Sequence, residues 1–176
     1  EIVCSQCPGD SLLENAATST LRYTDDTQMA IGVAETLVAR GEIEETTLCE
    51  AFVRNFENDR GYVAGARRII QAMIYGDDWR SLARNCFPGG SFGNGAAMRA
   101  APIGLMFFDD LDEAGRQAEL SALPTHTHPL GIDGARIVAM ATALAAREQT
   151  WSRWTFFQEL AARVQTDELR RQLQEA

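Results

Sequence analysis

Apolar positions recur along this chain at three- and four-residue steps, the period of a helix with one buried face. In 26–40, "DTQMAIGVAETLVAR", they fall at Met29, Ala30, Val33, Leu37 and Val38, and Gly41 supplies a C-terminal stop. Segment 45–57 places Leu48, Phe52, Val53 and Phe56 on one face. Segment 62–75 does the same with Val63, Ala66, Ile69, Ile70, Met73 and Ile74. A short helix is predicted at 78–85, another at 96–107 that Pro102 kinks or splits, and an amphipathic one at 111–123. Segment 134–147, "GARIVAMATALAAR", is apolar on more than one face and predicts a central helix; 152–164 and 166–175 close the chain. Period-two alternation is short and scarce. The pattern predicts an all-α, single-domain protein of about eight helices.

Composition narrows the class. The chain has 176 residues, enough to bury a core without staples, and 45% of them are hydrophobic. A formal net charge of −9 argues against nonspecific nucleic-acid binding. Phosphorylated ligands would need helix N-termini, loop amides or a divalent cation. Cys4 and Cys7 form one CxxC, while Cys49 and Cys86 stand apart, so ordinary reduced thiols are expected rather than a metal or redox site. The opening "EIVCSQCPGD" has neither a basic nor an apolar leader region, and no run of 18 apolar residues is present. The expectation is a cytoplasmic protein without a membrane span.

Three segments carry candidate chemistry. In "RYTDDTQMA", 22–30, Thr24, Asp25 and Asp26 stand at a helix start. One reading is capping, since one hydroxyl or carboxylate accepts from free helix amides. The other is a metal, since adjacent carboxylates repel unless a cation lies between them, and Mg²⁺ or Mn²⁺ takes such oxygen ligands. In "GGSFGNGAAMR", 89–99, the glycines free the backbone to approach a ligand, and the loop runs into a helix whose amides would cradle an anion. It also reads as a glycine-rich connector, with Asn94 as a cap and Arg99 paired either with phosphate or with a structural carboxylate. In "THTHPLG", 125–131, His126 and His128 are the only histidines. A metal ligand, a partner for a sugar hydroxyl and a structural hydrogen bond are all open. Asp77 and Asp78 read as caps, and Trp79, Trp151 and Trp154 as packing residues.

Together and in this order, "YTDDTQMA", "GSFGNGAAMR" and "THTHPLG" resemble the ADP-ribosylglycohydrolase family, as does "RGYVAGARRII" at 60–70. The resemblance covers roughly 20–147. It implies an orthogonal multi-helix bundle, two Mg²⁺ or Mn²⁺ ions, and cleavage of the glycosidic bond linking ADP-ribose to a protein side chain or a small molecule. By that analogy Thr24, Asp25 and Asp26 hold metal, and the two aspartates serve catalysis. Ser91, Phe92, Gly93, Asn94 and Gly95 cradle diphosphate and ribose with the substrate-binding Gly90 and Met98 nearby, and His126 contacts the ribose. The family also implies a catalytic glutamate upstream of the Thr-Asp-Asp. Glu1 is the candidate for it, ahead of Glu14. The family's closing Asp-Thr-Asp-Thr has no counterpart here; "QTDELRRQ" carries only Thr166 and Asp167. The chain is therefore expected to be the front and middle of the domain, incomplete at both ends. An inactive ADP-ribose-binding or structural module of the same fold is the alternative.

Overall fold

A computed structural model describes residues 23–147 and 150–176. Among them the regular structure is entirely helical. The elements are α1 (Asp25–Arg40), α2 (Glu45–Asn55), α3 (Ala64–Tyr75), α4 (Trp79–Asn85), a single 3₁₀ turn (Ala97–Arg99), α5 (Ala101–Met106), α6 (Leu111–Ala122), α7 (Pro129–Ala146), α8 (Arg153–Ala161) and α9 (Asp167–Glu175). The all-α reading holds.

Local chemistry sets the boundaries. Gly41 and Gly76 end α1 and α3 in the left-handed conformation, at φ 75° in each case. Asp78 caps α4 by accepting from the Ser81 amide, as the acidic pair suggested. Pro102 splits the predicted 96–107 helix: the 3₁₀ turn precedes it, and the proline then occupies the first turn of α5, where a missing N–H is tolerated.

The largest revision is at α7. It begins at Pro129, not near 134, because His128 caps it and Pro129 is preset for a first helical position. The glycines in "PLGIDG" conceal this start from a propensity reading. By length and composition α7 would suit a membrane span, but it is the central core helix. α5, α6, α8 and the 3₁₀ turn all pack on it, and it carries the buried Asp133, ion-paired with Arg136.

Two clusters form the core. The larger joins Met29, Val33 and Leu37 of α1 to Leu48 and Phe52 of α2, Ile70 of α3, Ile103 of α5 and the alanine faces of α6 and α7. The smaller gathers Leu111, Met140, Leu144, Leu160 and Val164, with Trp151 against it. Small residues let α5 approach α7 closely: a Cβ on Gly104 would stand 2.1 Å from the Ala139 carbonyl oxygen. Some predicted face positions point outward instead. Val38 is 89% exposed, and Trp154 is an exposed residue rather than a packed one.

Candidate functional site

At the N-terminal end of α1, Thr24 is extended, but its side chain caps no helix amide. Its hydroxyl donates to the Asp26 carboxylate at 2.7 Å. The capping reading therefore fails for Thr24, and the segment is instead a cluster of hydroxyl and carboxylate oxygens. The Asp25 amide donates to the Arg60 carbonyl at 2.8 Å, which braces the helix start against the 57–63 segment. Gly61, at φ 92°, lies beside the Asp25 side chain. Burial, and next the charge on Asp26, raise the Asp25 carboxyl above its ordinary range, while the amides of Asp25 and Asp26 pull it back.

The glycine segment forms the second wall. Gly89 and Gly90 have φ of 77° and 90°. A Cβ on Gly90 would stand 2.3 Å from Thr127 Oγ1 and 2.7 Å from the His128 amide nitrogen. One on Gly95 would stand 2.7 Å from His126 Cε1, and one on Gly131 would stand 2.8 Å from the Ser91 carbonyl oxygen. These bare positions let the 87–95 loop interlock with the 124–131 segment, so the close approach they permit is to protein. The loop leads into the short 3₁₀ turn and not into a long helix, so little dipole is available there. Asn94 contributes its carbonyl, which accepts from the Met98 amide at 2.9 Å, and not a side-chain cap.

The histidines divide their roles. His128 Nδ1 accepts from the Leu130 amide at 3.1 Å and so starts α7, while its ring packs on Phe92 with centroids 5.1 Å apart. His126 is buried, with Nδ1 2.8 Å from Thr125 Oγ1. Burial, and secondarily the nearby Arg99 charge, push its pKa down to about 3, so it is neutral at pH 7.

These parts enclose one cavity of about 460 Å³. Asp25, Gly90, Ser91, Phe92, Gly93, Asn94, Gly95, Met98 and His126 all line it. Thr24 and Asp26 stand beside Asp25 but do not line it. Glu1, Glu14, Cys4 and Cys7 lie outside the described residues. The remaining wall is largely apolar, with Val63 just ahead of α3, Ala66 and Ile69 from α3, Met29 and Phe87, and it also includes Arg99 and Thr125. Val63, Ala66 and Ile69 fall within the 60–70 segment, whose place in the cavity only the fold reveals. This size and this mix of apolar wall with a few convergent polar groups suit a nucleotide-sized ligand.

Arg99 resolves differently from either reading of it. The guanidinium is completely buried and meets no carboxylate among the described residues. It donates to the carbonyls of Gly95 and Ser121 and to Thr125 Oγ1, and its planar head lies 4.8 Å from the Phe52 ring centroid. Burial draws it down to about 9, still charged at pH 7. Cys49 is buried, its thiol pushed up to about 12, and so is a protonated packing residue.

Oxygen ligands suit a hard divalent cation, and Thr24, Asp25 and Asp26 present a hydroxyl and two carboxylates, one of them raised by burial and next by its neighbour's charge. That donor set fits in kind but fills only part of a coordination shell. Among the described residues no group of three or more His, Cys, Asp or Glu side chains gathers at one point.

An all-helical bundle with this cavity, two interlocked loops and an acidic helix start defines a candidate nucleotide-sugar site. The family model for ADP-ribosylglycohydrolase matches residues 5–176, and the chain belongs to that family. It is 35% identical over 156 residues to ADP-ribosylhydrolase ARH3 of Gallus gallus, covering 86% of this chain and 42% of that protein. The Mus musculus ADP-ribosylhydrolase ARH3 is 37% identical over 136 residues, 74% of this chain and 36% of that protein. An uncharacterized protein of Archaeoglobus fulgidus is 32% identical over 147 residues, 81% of this chain and 45% of that protein. The chain thus spans about two fifths of the length of the curated relatives it matches.

Proposed function

We propose that the cavity binds ADP-ribose and that the protein hydrolyses the glycosidic bond joining ADP-ribose to an acceptor. One observation carries this reading: Asp25, the 90–95 loop and His126, distant in sequence, line a single cavity. Membership of the ADP-ribosylglycohydrolase family and likeness to proteins named ADP-ribosylhydrolase support it.

Chemically, cleavage at the anomeric carbon develops positive charge on the sugar and needs an activated water or an acid. A divalent ion, Mg²⁺ or Mn²⁺, held by Thr24, Asp25 and Asp26 would supply Lewis acidity and orient ribose hydroxyls. Asp25 is the member of this set that lines the cavity. The loop places its backbone and the exposed Phe92 ring along the rim. Neutral His126 offers a hydrogen bond at the floor. The apolar α3 wall excludes water around the bound ligand.

Asp25 is the one carboxylate among the described residues that lines the cavity. That observation favours a second reading, a module that binds ADP-ribose without cleaving it. The two separate in one experiment. The protein is incubated with ADP-ribosylated serine and arginine peptides in Mg²⁺ or Mn²⁺, and both binding and released ADP-ribose are measured. Release that disappears in Asp25→Ala supports the hydrolase. Binding without release supports the module, and neither rejects both.

A further inference from the structure

We infer that Arg99, wholly buried in the wall of the cavity, acts as a positioning residue that fixes the tautomer of His126 through the Thr125 hydroxyl, so that the ring presents an Nε2–H donor to the cavity. This deepens the binding reading above and names the chemistry His126 selects, an oxygen acceptor.

Donors and acceptors around Thr125 decide where its hydroxyl proton goes. Thr125 Oγ1 accepts from Arg99 Nη2 at 2.9 Å. The hydroxyl proton then has two possible acceptors, His126 Nδ1 at 2.8 Å and the Ala122 carbonyl oxygen at 3.4 Å. The Ala122 carbonyl already accepts two amides, from Thr125 at 3.0 Å and from His126 at 2.8 Å. Both of its lone pairs are taken. The proton therefore goes to Nδ1, which must be the bare nitrogen of the ring. A hydroxyl that accepts from a cation is also a stronger donor, which reinforces the direction. With Nδ1 bare and the ring neutral, the ring proton sits on Nε2. That edge faces the loop: Cβ atoms built on Gly93 and Gly95 would lie 3.9 and 3.1 Å from Nε2.

The remaining hydrogen bonds of Arg99 hold the same assembly. Nη1 donates to the Gly95 carbonyl, tying down the loop opposite His126, and Nη2, besides its bond to Thr125, donates to the Ser121 carbonyl at the end of α6. One buried cation thus sets both the ring's proton and the wall it faces. A carboxylate partner for Arg99 would weaken its pull on the Thr125 oxygen, and the structure gives it carbonyls and an aromatic face instead. The selected ligand group is an acceptor, such as a hydroxyl, ether or phosphate oxygen, and a pure donor is rejected there.

The test reads the ring directly. His128→Asn leaves His126 as the single histidine and keeps a capping side chain at α7. Long-range ¹H–¹⁵N spectra of ¹⁵N-histidine-labelled protein without ligand then report the tautomer. The expected result is Nε2–H in this background and loss of that preference in Thr125→Val, with Thr125→Ser restoring it. Thr125→Val is the decisive variant, because Arg99→Lys, expected to act likewise, also disturbs the core. An Nδ1–H tautomer, or a spectrum unchanged by Thr125→Val, overturns the inference. ADP-ribose affinity is read separately, with about a tenfold loss expected in Thr125→Val for one misdirected hydrogen bond. The expected tautomer in a protein that binds no ADP-ribose would sink the binding reading and leave this one standing.

Discussion

Gly95 lies so close to His126 that a β-carbon on it would stand 2.7 Å from ring atom Cε1. The ring is a movable neighbour, so Gly95→Ala is expected to cost about 1–3 kcal/mol and to displace the ring from the cavity floor. Gly90→Ala should be worse, because its β-carbon would meet the His128 backbone and its φ is 90°. Urea unfolding of the two variants checks the order. A Gly90→Ala protein as stable as the parent would show that the loops do not interlock as described.

Asp25 and Asp26 repel each other, since the charge on Asp26 is one cause of the raised Asp25 carboxyl. Asp26→Asn should therefore be neutral to slightly stabilising in EDTA. With Mg²⁺ or Mn²⁺ the parent should gain melting temperature and the variant should gain little. Equal responses of both proteins to metal would remove the cation from the account.

Protonation of His126 opposes folding. Its folded pKa is about 3 against 6.5 for the ordinary group, so below pH 6.5 the unfolded chain takes up a proton that the folded one refuses. Stability falls as pH is lowered from 6.5 toward 3, by up to about 1.4 kcal/mol per pH unit from this group. Glu44 and Glu113, each lowered from 4.5 to about 2, add their losses only further into acid. Denaturant curves at pH 7 and pH 5 should show a larger loss for the parent than for His126→Gln. The same loss in both would contradict a buried neutral ring.

Phe92 is two-thirds exposed at 66% and rests on the His128 ring. Phe92→Ala should change stability by only about 0.5 kcal/mol, as for a surface residue. Isothermal titration should nonetheless show ADP-ribose binding weakened several-fold. A variant that binds like the parent would take the Phe92 ring out of the site.

What the sequence made legible follows from where the physics is local. Helical periodicity found the helices of the bundle, because burial of one face repeats within each segment. The candidate residues for ligand contact were legible as motifs, and the fold brings them to one cavity. Features that depend on distant partners were not. The start of α7 hid behind Gly131 and Gly134, and the small size of Gly131 serves close packing against Ser91 rather than a turn. Arg99 reads as the partner of a phosphate or of a structural carboxylate until the carbonyls of Gly95 and Ser121 and the Phe52 ring surround it. The glycines of the 89–95 segment read as room for a ligand, whereas Gly90 and Gly95 make room for Thr127 and His126.

The most direct measurement is thermal unfolding with and without ADP-ribose, each in Mg²⁺, in Mn²⁺ and in EDTA. Ligand that binds only the native state raises its stability by mass action, about 2.7 kcal/mol at a hundred times Kd. The account predicts a rise in melting temperature that is largest when ADP-ribose and a divalent ion are both present. No rise with ADP-ribose under any condition would contradict it.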